Sequence, residues 1–176
     1  MPHLITGGAR SGKSAYAEQL AHAHRGPVCY LATAEVRDDE FRQRVARHRT
    51  RRPAHWQVVE VGQGLAETLR QNDQPGTLQL VDCLGMWLMR FFGPDDGFDE
   101  VAYLAQRQAL LQALAALQGE AVLVSNEIGW GVVPLGTTSR RFVDELGWLN
   151  QAVAAVCQQV TLVACGLPLV LKQETR

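Results

Sequence analysis

The sequence lacks an excess of charge of either sign and any long apolar run. Its 17 Lys and Arg and 18 Asp and Glu residues give a net charge of -1, so no general attraction to nucleic acid or to a membrane surface is expected. No segment approaches the roughly 18 apolar residues of a membrane span, and no basic region with a long apolar stretch opens the chain. These absences predict a cytoplasmic enzyme with no membrane span and no nucleic-acid partner.

Cysteine is scarce and irregularly spaced. The four cysteines are Cys29, Cys83, Cys157 and Cys165. They form no C-x-x-C pair and no metal-ligand spacing, and three lie within or beside apolar runs, which favours buried, reduced thiols. No repeat, low-complexity tract or linker interrupts the 176 residues, a length that suits one domain spanning residues 1–176.

A phosphate-binding motif follows the first apolar run. Residues 7–14 read GGARSGKS and match G-x-x-x-x-G-K-[ST]. Glycines let successive N–H groups turn toward phosphate oxygens, and the helix expected to begin near Lys13 directs its positive end at the same anion. Lys13 is expected to reach the β- and γ-phosphates, and the Ser14 hydroxyl to bind Mg²⁺. The predicted ligands in this P-loop are Gly7, Gly8, Ala9, Arg10, Ser11, Gly12, Lys13 and Ser14. The alternative is a glycine-rich turn with no ligand.

Apolar runs alternate with helical patterns along the chain. Most of the runs are nearly continuous, as in parallel sheets that helices cover on both faces. The predicted strands are 3–6, 27–33, 57–61, 78–82, 121–125, 160–166 and 169–172. The predicted helices are 13–25, 36–49, 64–72, 100–118 and 139–158, and 91–100 is predicted to be a surface turn. The pattern indicates an α/β fold, a single-domain P-loop layer sandwich with a mostly parallel central sheet.

Further candidate residues follow the predicted strands, because ligands of such sheets lie beyond the carboxyl ends of the strands. These positions are Thr33, Ala34, Glu60, Asp82, Cys83, Ser125, Asn126, Glu127 and Gly166. Asp82 ends an apolar strand, the usual place for the carboxylate that holds Mg²⁺ opposite the P-loop serine. The alternative is that Asp82 only caps the helix that follows it.

Positive charge is concentrated in one segment. Residues 37–56, RDDEFRQRVARHRTRRPAHW, hold seven of the 17 Lys and Arg residues together with His48 and His55. A surface helix, acidic at its start and basic at its end, would explain the order of the charges but not the gathering of arginines around a histidine. Nearby arginines favour the neutral form of His48, which could attack an α-phosphate and carry a nucleotidyl group. The arginines would bind the triphosphate and the departing pyrophosphate.

The chain as a whole resembles the bifunctional adenosylcobinamide kinase / adenosylcobinamide-phosphate guanylyltransferase family of cobalamin assembly. The matching stretches are LITGGARSGKS, YLATAE, DDEFRQRVARHRTRRPAHW, LVDCLGMWL, VLVSNEIGWGVVP, RRFVDELGWLNQAVA and VACGLPLVLK. The P-loop alone is generic, whereas the histidine block and NEIGWGVVP are far more particular to this family.

The resemblance implies two reactions. A nucleoside triphosphate, ATP or GTP, phosphorylates adenosylcobinamide. GTP then gives GMP to an enzyme histidine, and adenosylcobinamide phosphate takes the GMP to form adenosylcobinamide-GDP. That histidine corresponds to His48, with His55 as the second candidate. The nucleotide-binding positions that the resemblance adds are Ala32, Thr33, Ala34, Arg49, Thr50, Arg51, Arg52, Glu60 and Asp82. The resemblance also implies a homotrimer.

Two positions depart from the family pattern. Arg47 stands where some relatives have a second histidine, and VCQQV near the C-terminus replaces a more acidic pattern. Asn126 and Glu127 precede a glycine-rich loop that either binds substrate or only turns the chain. The alternative functions are a P-loop kinase for a small metabolite, with His48 only a phosphate ligand, and a nucleotide-binding regulatory module.

Overall fold

A seven-stranded sheet runs through the part of the chain that the computed structural model describes, which is residues 1–35, 53–93, 95 and 97–174. Its strands are β1 (Pro2–Thr6), β2 (Val28–Ala32), β3 (Gln57–Glu60), β4 (Leu78–Asp82), β5 (Glu120–Val124), β6 (Gln159–Ala164) and β7 (Leu167–Gln173). They lie in the order β3-β2-β4-β5-β1-β6-β7. Strands β1 to β6 pair in parallel, and β7 is antiparallel to β6. The predicted α/β fold with a mostly parallel sheet is confirmed.

Helices cover both faces of this sheet. Those of the described residues are α1 (Lys13–Ala23), α2 (Leu65–Gln71), α3 (Leu84–Leu88, continued by a 3₁₀ turn at Met89–Phe91), α4 (Glu100–Ala115) and α5 (Thr137–Val156). The predicted helix at 36–49 lies outside the described residues. Helix α4 ends three residues earlier than predicted, and the Asp73 carboxylate accepts the N–H groups of Gln118 and Gly119 just beyond it.

The hydrophobic core consists of two layers, one on each face of the sheet. Neighbouring strand residues alternate between them, as the two-residue period of a strand requires: Leu4 packs in one layer and Ile5 in the other. The first layer holds the apolar faces of α2, α3, α4 and α5, and the second holds α1 and Trp56. Most strands are therefore buried on both faces, which explains their nearly continuous apolar sequences.

The segment 91–100 is only partly the surface turn that its sequence predicts. Its tip does reverse direction, with the Gly93 N–H donating to the Gly97 carbonyl at 2.8 Å. Phe91 and Phe92, however, are buried in the core, because the aromatic residues that precede the turn pack between the helices.

The parallel strands place all their carboxyl ends at one edge of the sheet, called the carboxyl edge below. The loop between β1 and α1 lies at this edge, since it begins where β1 ends. Helix α1 runs back to the opposite, amino edge, where residues 53–56 lead into β3. None of the described helices is long and apolar enough to cross a membrane.

Candidate nucleotide-binding site

The P-loop, residues 7–14, is tightly packed against the end of β6. A Cβ atom on Gly7 would lie 2.4 Å from the Val163 carbonyl oxygen. A Cβ atom on Gly12 would lie 3.0 Å from the Gly166 Cα, and Gly12 also has a left-handed φ of 98°. Both outer glycines of the motif are therefore required by the close approach of backbone to backbone.

The first turn of α1 directs its N–H groups toward the P-loop. Among the described residues, no side chain caps this turn and none of its own residues is acidic. The N–H groups of this turn and the positive end of the helix dipole therefore favour an anion at this place. The Arg10 φ of 57° helps to curl the loop around it. This arrangement suits the phosphates of a nucleotide.

Lys13 lies across the loop with little exposure to solvent. Its side chain belongs to a residue that is 8% exposed, and its Nζ donates to the Gly8 carbonyl at 3.1 Å. Ser14 follows it on α1 and is half-buried. The ammonium group is thus held against the backbone of the P-loop.

Asp82 ends β4, two strands away from β1. The Tyr30 hydroxyl, on the neighbouring strand β2, donates to Asp82 Oδ2 at 2.9 Å and fixes the direction of the carboxylate. Burial, with the Asp82 charge second, raises the pKa of the Cys83 thiol to about 12, so this thiol stays neutral. The capping residue of α3 is Cys83, without a side-chain cap bond among the described residues, which speaks against the helix-cap role for Asp82.

The end of β2 is fixed to the end of β4. Thr33 is fully buried, its hydroxyl donates to the Cys83 carbonyl at 2.8 Å, and its carbonyl accepts from Arg90 Nε. The Thr33 N–H also donates to the Asp82 carbonyl at 3.3 Å, so the side chain and both backbone polar groups of Thr33 join the two strand ends. The Ala32 carbonyl likewise accepts the Val61 N–H at 2.8 Å.

Glu60 shares the carboxyl edge but lies at its far end. It ends β3, the outermost strand, which is separated from β1 by four strand spacings in the sheet order. At about 4.8 Å per spacing, this places Glu60 about 19 Å from the strand that leads into the P-loop. The structure brings Lys13, Ser14 and Asp82 to one region and leaves Glu60 at its periphery.

Sequence reasoning missed a polar network behind the P-loop. Glu127 accepts from the Thr6 hydroxyl at 2.6 Å and from Asn150 Nδ2 at 3.3 Å. Asn150 in turn accepts from the Ser125 hydroxyl at 2.5 Å and donates to the Asn126 carbonyl at 3.0 Å. The available signal was Asn150 itself, a polar residue on the apolar stripe of α5. Tyr30 gave no signal, because an aromatic residue in a buried strand is ordinary core.

The backbone ties this network and the end of β6 to the P-loop. The Glu127 N–H donates to the Gly7 carbonyl at 3.0 Å, and the Gly166 N–H donates to the Ser11 carbonyl at 2.8 Å. Cys165, next to Gly166, is exposed, whereas Cys29 and Cys157 are buried as expected and Cys83 is half-buried. Burial raises the pKa of the Cys29 thiol to about 11.

The two candidate nucleophiles differ in what the structure says of them. His48 and the neighbouring Arg49, Thr50, Arg51 and Arg52 lie outside the described residues. His55 is exposed at the amino edge, next to the buried Trp56, whose ring lies 4.9 Å from that of His22 near the end of α1. Since α1 has 11 residues, His55 lies about 15 Å or more from the P-loop.

The donor atoms near the P-loop fit a hard divalent cation. The Ser14 hydroxyl and the Asp82 carboxylate are oxygen donors, which Mg²⁺ prefers, and Mg²⁺ sites commonly use few protein ligands together with phosphate oxygens and water. Among the described residues there is no group of three or more His, Cys, Asp or Glu that could hold a metal by itself.

Comparison with known proteins identifies the family of the chain. The family model described as cobinamide kinase / cobinamide phosphate guanyltransferase matches residues 3–171. The chain belongs to this family. It is 51% identical to the bifunctional adenosylcobalamin biosynthesis protein CobP of Pseudomonas aeruginosa, over 99% of both chains. It is 39% identical to the bifunctional adenosylcobalamin biosynthesis protein CobU of Escherichia coli strain K12, over 96% of this chain and 98% of that relative.

A solved structure supports the fold. A protein of Pyrococcus horikoshii OT3, solved in a structural study, superposes with a TM-score of 0.61, covering 99% of this chain and 87% of its own. The two sequences are only 7% identical, so this likeness concerns the α/β architecture alone.

The packing of Gly12 predicts that a substitution there lowers stability more than the same substitution at Gly8. Gly12→Ala places a side chain at a left-handed φ and against the backbone of Gly166, so the free energy of unfolding should fall by about 1–3 kcal/mol. Gly8→Ala is the matched control, because a Cβ atom there meets nothing within 4 Å. Its effect should stay within about 0.5 kcal/mol. Urea unfolding of both variants measures the difference, and equal stabilities would contradict the packing described for the loop.

Proposed function

We propose that this chain phosphorylates adenosylcobinamide with a nucleoside triphosphate and then transfers GMP from GTP to adenosylcobinamide phosphate, forming adenosylcobinamide-GDP and pyrophosphate. The observation that carries the proposal is a P-loop built at the carboxyl edge of a chain that matches the cobinamide kinase / cobinamide phosphate guanyltransferase model over residues 3–171. The relatives are named as bifunctional adenosylcobalamin biosynthesis proteins, which supports two activities in one chain.

In the kinase step the P-loop holds the β- and γ-phosphates. Its N–H groups and Lys13 neutralise the charge of the phosphates, with Gly7, Gly8, Ala9, Arg10, Ser11 and Gly12 forming the cradle. The acceptor hydroxyl then bonds to the γ-phosphorus as the bond to the nucleoside diphosphate breaks. Catalysis here consists of positioning and charge stabilisation, as in other phosphoryl transfers.

In the transfer step the same loop holds the leaving group. A ring nitrogen of His48 bonds to the α-phosphorus of GTP, and the bond to the β-phosphate oxygen breaks, releasing pyrophosphate. A phosphate oxygen of adenosylcobinamide phosphate then displaces the histidine. Arg49, Thr50, Arg51 and Arg52 supply charge and hydrogen bonds to the triphosphate. The amino-edge position of His55 supports the choice of His48.

The remaining roles follow from position along the carboxyl edge. Ser14 and Asp82 would hold Mg²⁺, which would shield the charge of the phosphates when bound. The backbone of Ala32, Thr33 and Ala34 would border the nucleotide. Glu60 would reach only its outer parts, given its place on β3.

We also propose that the working protein is a cytoplasmic homotrimer of chains that each form one P-loop domain over residues 1–176. The family resemblance suggests the trimer, and the near-neutral charge supports small-molecule substrates over a nucleic-acid partner.

The covalent step predicts a label on one histidine. The chain incubated with α-labelled GTP should retain label after denaturation, and the label should be lost in mild acid and kept in alkali, as a phosphoramidate requires. His48→Ala should form no adduct. His55→Ala is the matched control and should label as the wild type does. An adduct on His48→Ala, or one that survives acid, would contradict the proposed nucleophile.

Removing a phosphate contact and removing a metal contact should change different requirements of the reaction, the first for nucleotide and the second for Mg²⁺. Lys13→Ala removes charge-assisted bonds to the triphosphate, so both activities should need about 10- to 100-fold more nucleotide at any Mg²⁺ concentration. Ser14→Ala and Asp82→Asn should instead raise the Mg²⁺ concentration that gives half-maximal rate. Titrating Mg²⁺ and GTP separately in both half-reactions distinguishes the cases. An unchanged Mg²⁺ requirement in Asp82→Asn would remove Asp82 from the metal site.

A further inference from the structure

The loop that follows Glu127 exposes a run of large apolar side chains. This apolar loop, residues 128–136, reads IGWGVVPLG. Its exposed residues are Trp130, Val132, Val133 and Leu135, at 73%, 96%, 71% and 97% exposure. Among the described residues, the other large exposed apolar group is on the edge strand β7. Contiguous exposed apolar surface of this kind marks a place where something binds.

Both ends of the apolar loop are fixed to the body of the protein. At its start, the Glu127 N–H donates to the Gly7 carbonyl of the P-loop at 3.0 Å. The Glu127 carboxylate is held by Thr6 and Asn150. At its end, the Arg140 guanidinium on α5 donates to the Pro134 carbonyl at 3.0 Å and also to the Leu135 carbonyl. The exposed side chains are therefore presented from a supported loop that begins at the phosphate site.

We propose that the apolar loop binds the corrin ring of the acceptor, adenosylcobinamide, with Trp130 as its main contact. The inference rests on the proposed function and assigns acceptor-binding residues to it. A corrin is a large, flat macrocycle edged with methyl groups and amide side chains, and aromatic and branched aliphatic side chains complement such a surface.

The position of the loop favours this occupant over a second copy of the chain. The acceptor hydroxyl must approach the γ-phosphate from the carboxyl edge. The apolar loop begins at this edge, directly after Glu127, whose N–H donates to the Gly7 carbonyl. A ring bound there would lie beside the reacting phosphates, held by contacts that do not involve the nucleotide. Binding of this kind positions the hydroxyl without changing the triphosphate.

The test compares exposed residues of the same type in two places. Trp130→Ala and Val132→Ser alter the apolar loop. Trp148→Ala and Val101→Ser make the same changes at exposed positions of α5 and α4, which are 51% and 83% exposed. Adenosylcobinamide binding is measured by equilibrium dialysis with a non-hydrolysable GTP analogue present. KM for each substrate, kcat and sedimentation mass are measured for every variant.

The apolar-loop variants should bind adenosylcobinamide about tenfold or more weakly, as when an aromatic anchor of a binding surface is truncated. KM for adenosylcobinamide should rise by the same factor, whereas KM for GTP, kcat and mass stay unchanged. The control variants should match the wild type in all five quantities.

Two results would overturn the inference alone. One is an unchanged KM for adenosylcobinamide in Trp130→Ala and Val132→Ser. The other is a fall in sedimentation mass in these variants, which would assign the loop to contact with a second copy. A wild-type chain that binds no adenosylcobinamide at all would contradict the proposed function as well, so the two failures are distinguishable.

Discussion

The site depends on the close approach of the P-loop backbone to the ends of the two strands that flank β1. On one side, Gly7 lies against the Val163 carbonyl in β6, where a Cβ atom would have no room, and Gly12 lies in tight contact with Gly166 just beyond β6, with a left-handed φ. On the other side, the Glu127 N–H after β5 holds the Gly7 carbonyl. These contacts fix the curl of the loop, and with it the directions of the N–H groups that face the phosphates.

In the proposed function, the same constraint links the nucleotide to the acceptor. Glu127 is tied by its backbone to the P-loop and by its carboxylate to Thr6 and Asn150. The apolar loop departs from this residue, so its base cannot shift without moving Gly7. A single rigid junction at the carboxyl edge therefore sets the distance between the phosphates and the proposed corrin surface. In the proposed function the two reactions at one triphosphate differ in the nucleophile, which is the acceptor hydroxyl or His48, and in the phosphorus atom that it attacks.

The fold was predictable because its signals are local and repeated. Continuous apolar runs such as 78–82 and 121–125 gave β4 and β5, since strands buried on both faces need apolar residues at every position. The P-loop was predictable from its motif, because the outer glycines stand where the backbone is too close to its neighbours for a larger residue. The end of α4 was placed too late, because the Asp73 carboxylate that binds the backbone there comes from 45 residues earlier in the chain.

The candidate site was predictable only in part, because its side chains are oriented by residues that lie far away in the sequence. The positions of the strand ends predicted Asp82 and Glu127 as site residues. They did not predict Tyr30 and Asn150, which orient these carboxylates, because each lies on a separate element. The strand-end rule also grouped Glu60 with Asp82 without reference to sheet order, and the order β3-β2-β4-β5-β1 puts four spacings between Glu60 and the P-loop strand. The histidine block remains a matter of sequence and family, because His48 lies outside the described residues.

The central claim is that one P-loop holds the triphosphate for both reactions. The most direct measurement is the number of nucleotides that one chain binds, determined by titration calorimetry with non-hydrolysable analogues of GTP and ATP. The account predicts one site per chain, for which the two analogues compete. Simultaneous binding of both analogues, at two nucleotides per chain, would contradict it.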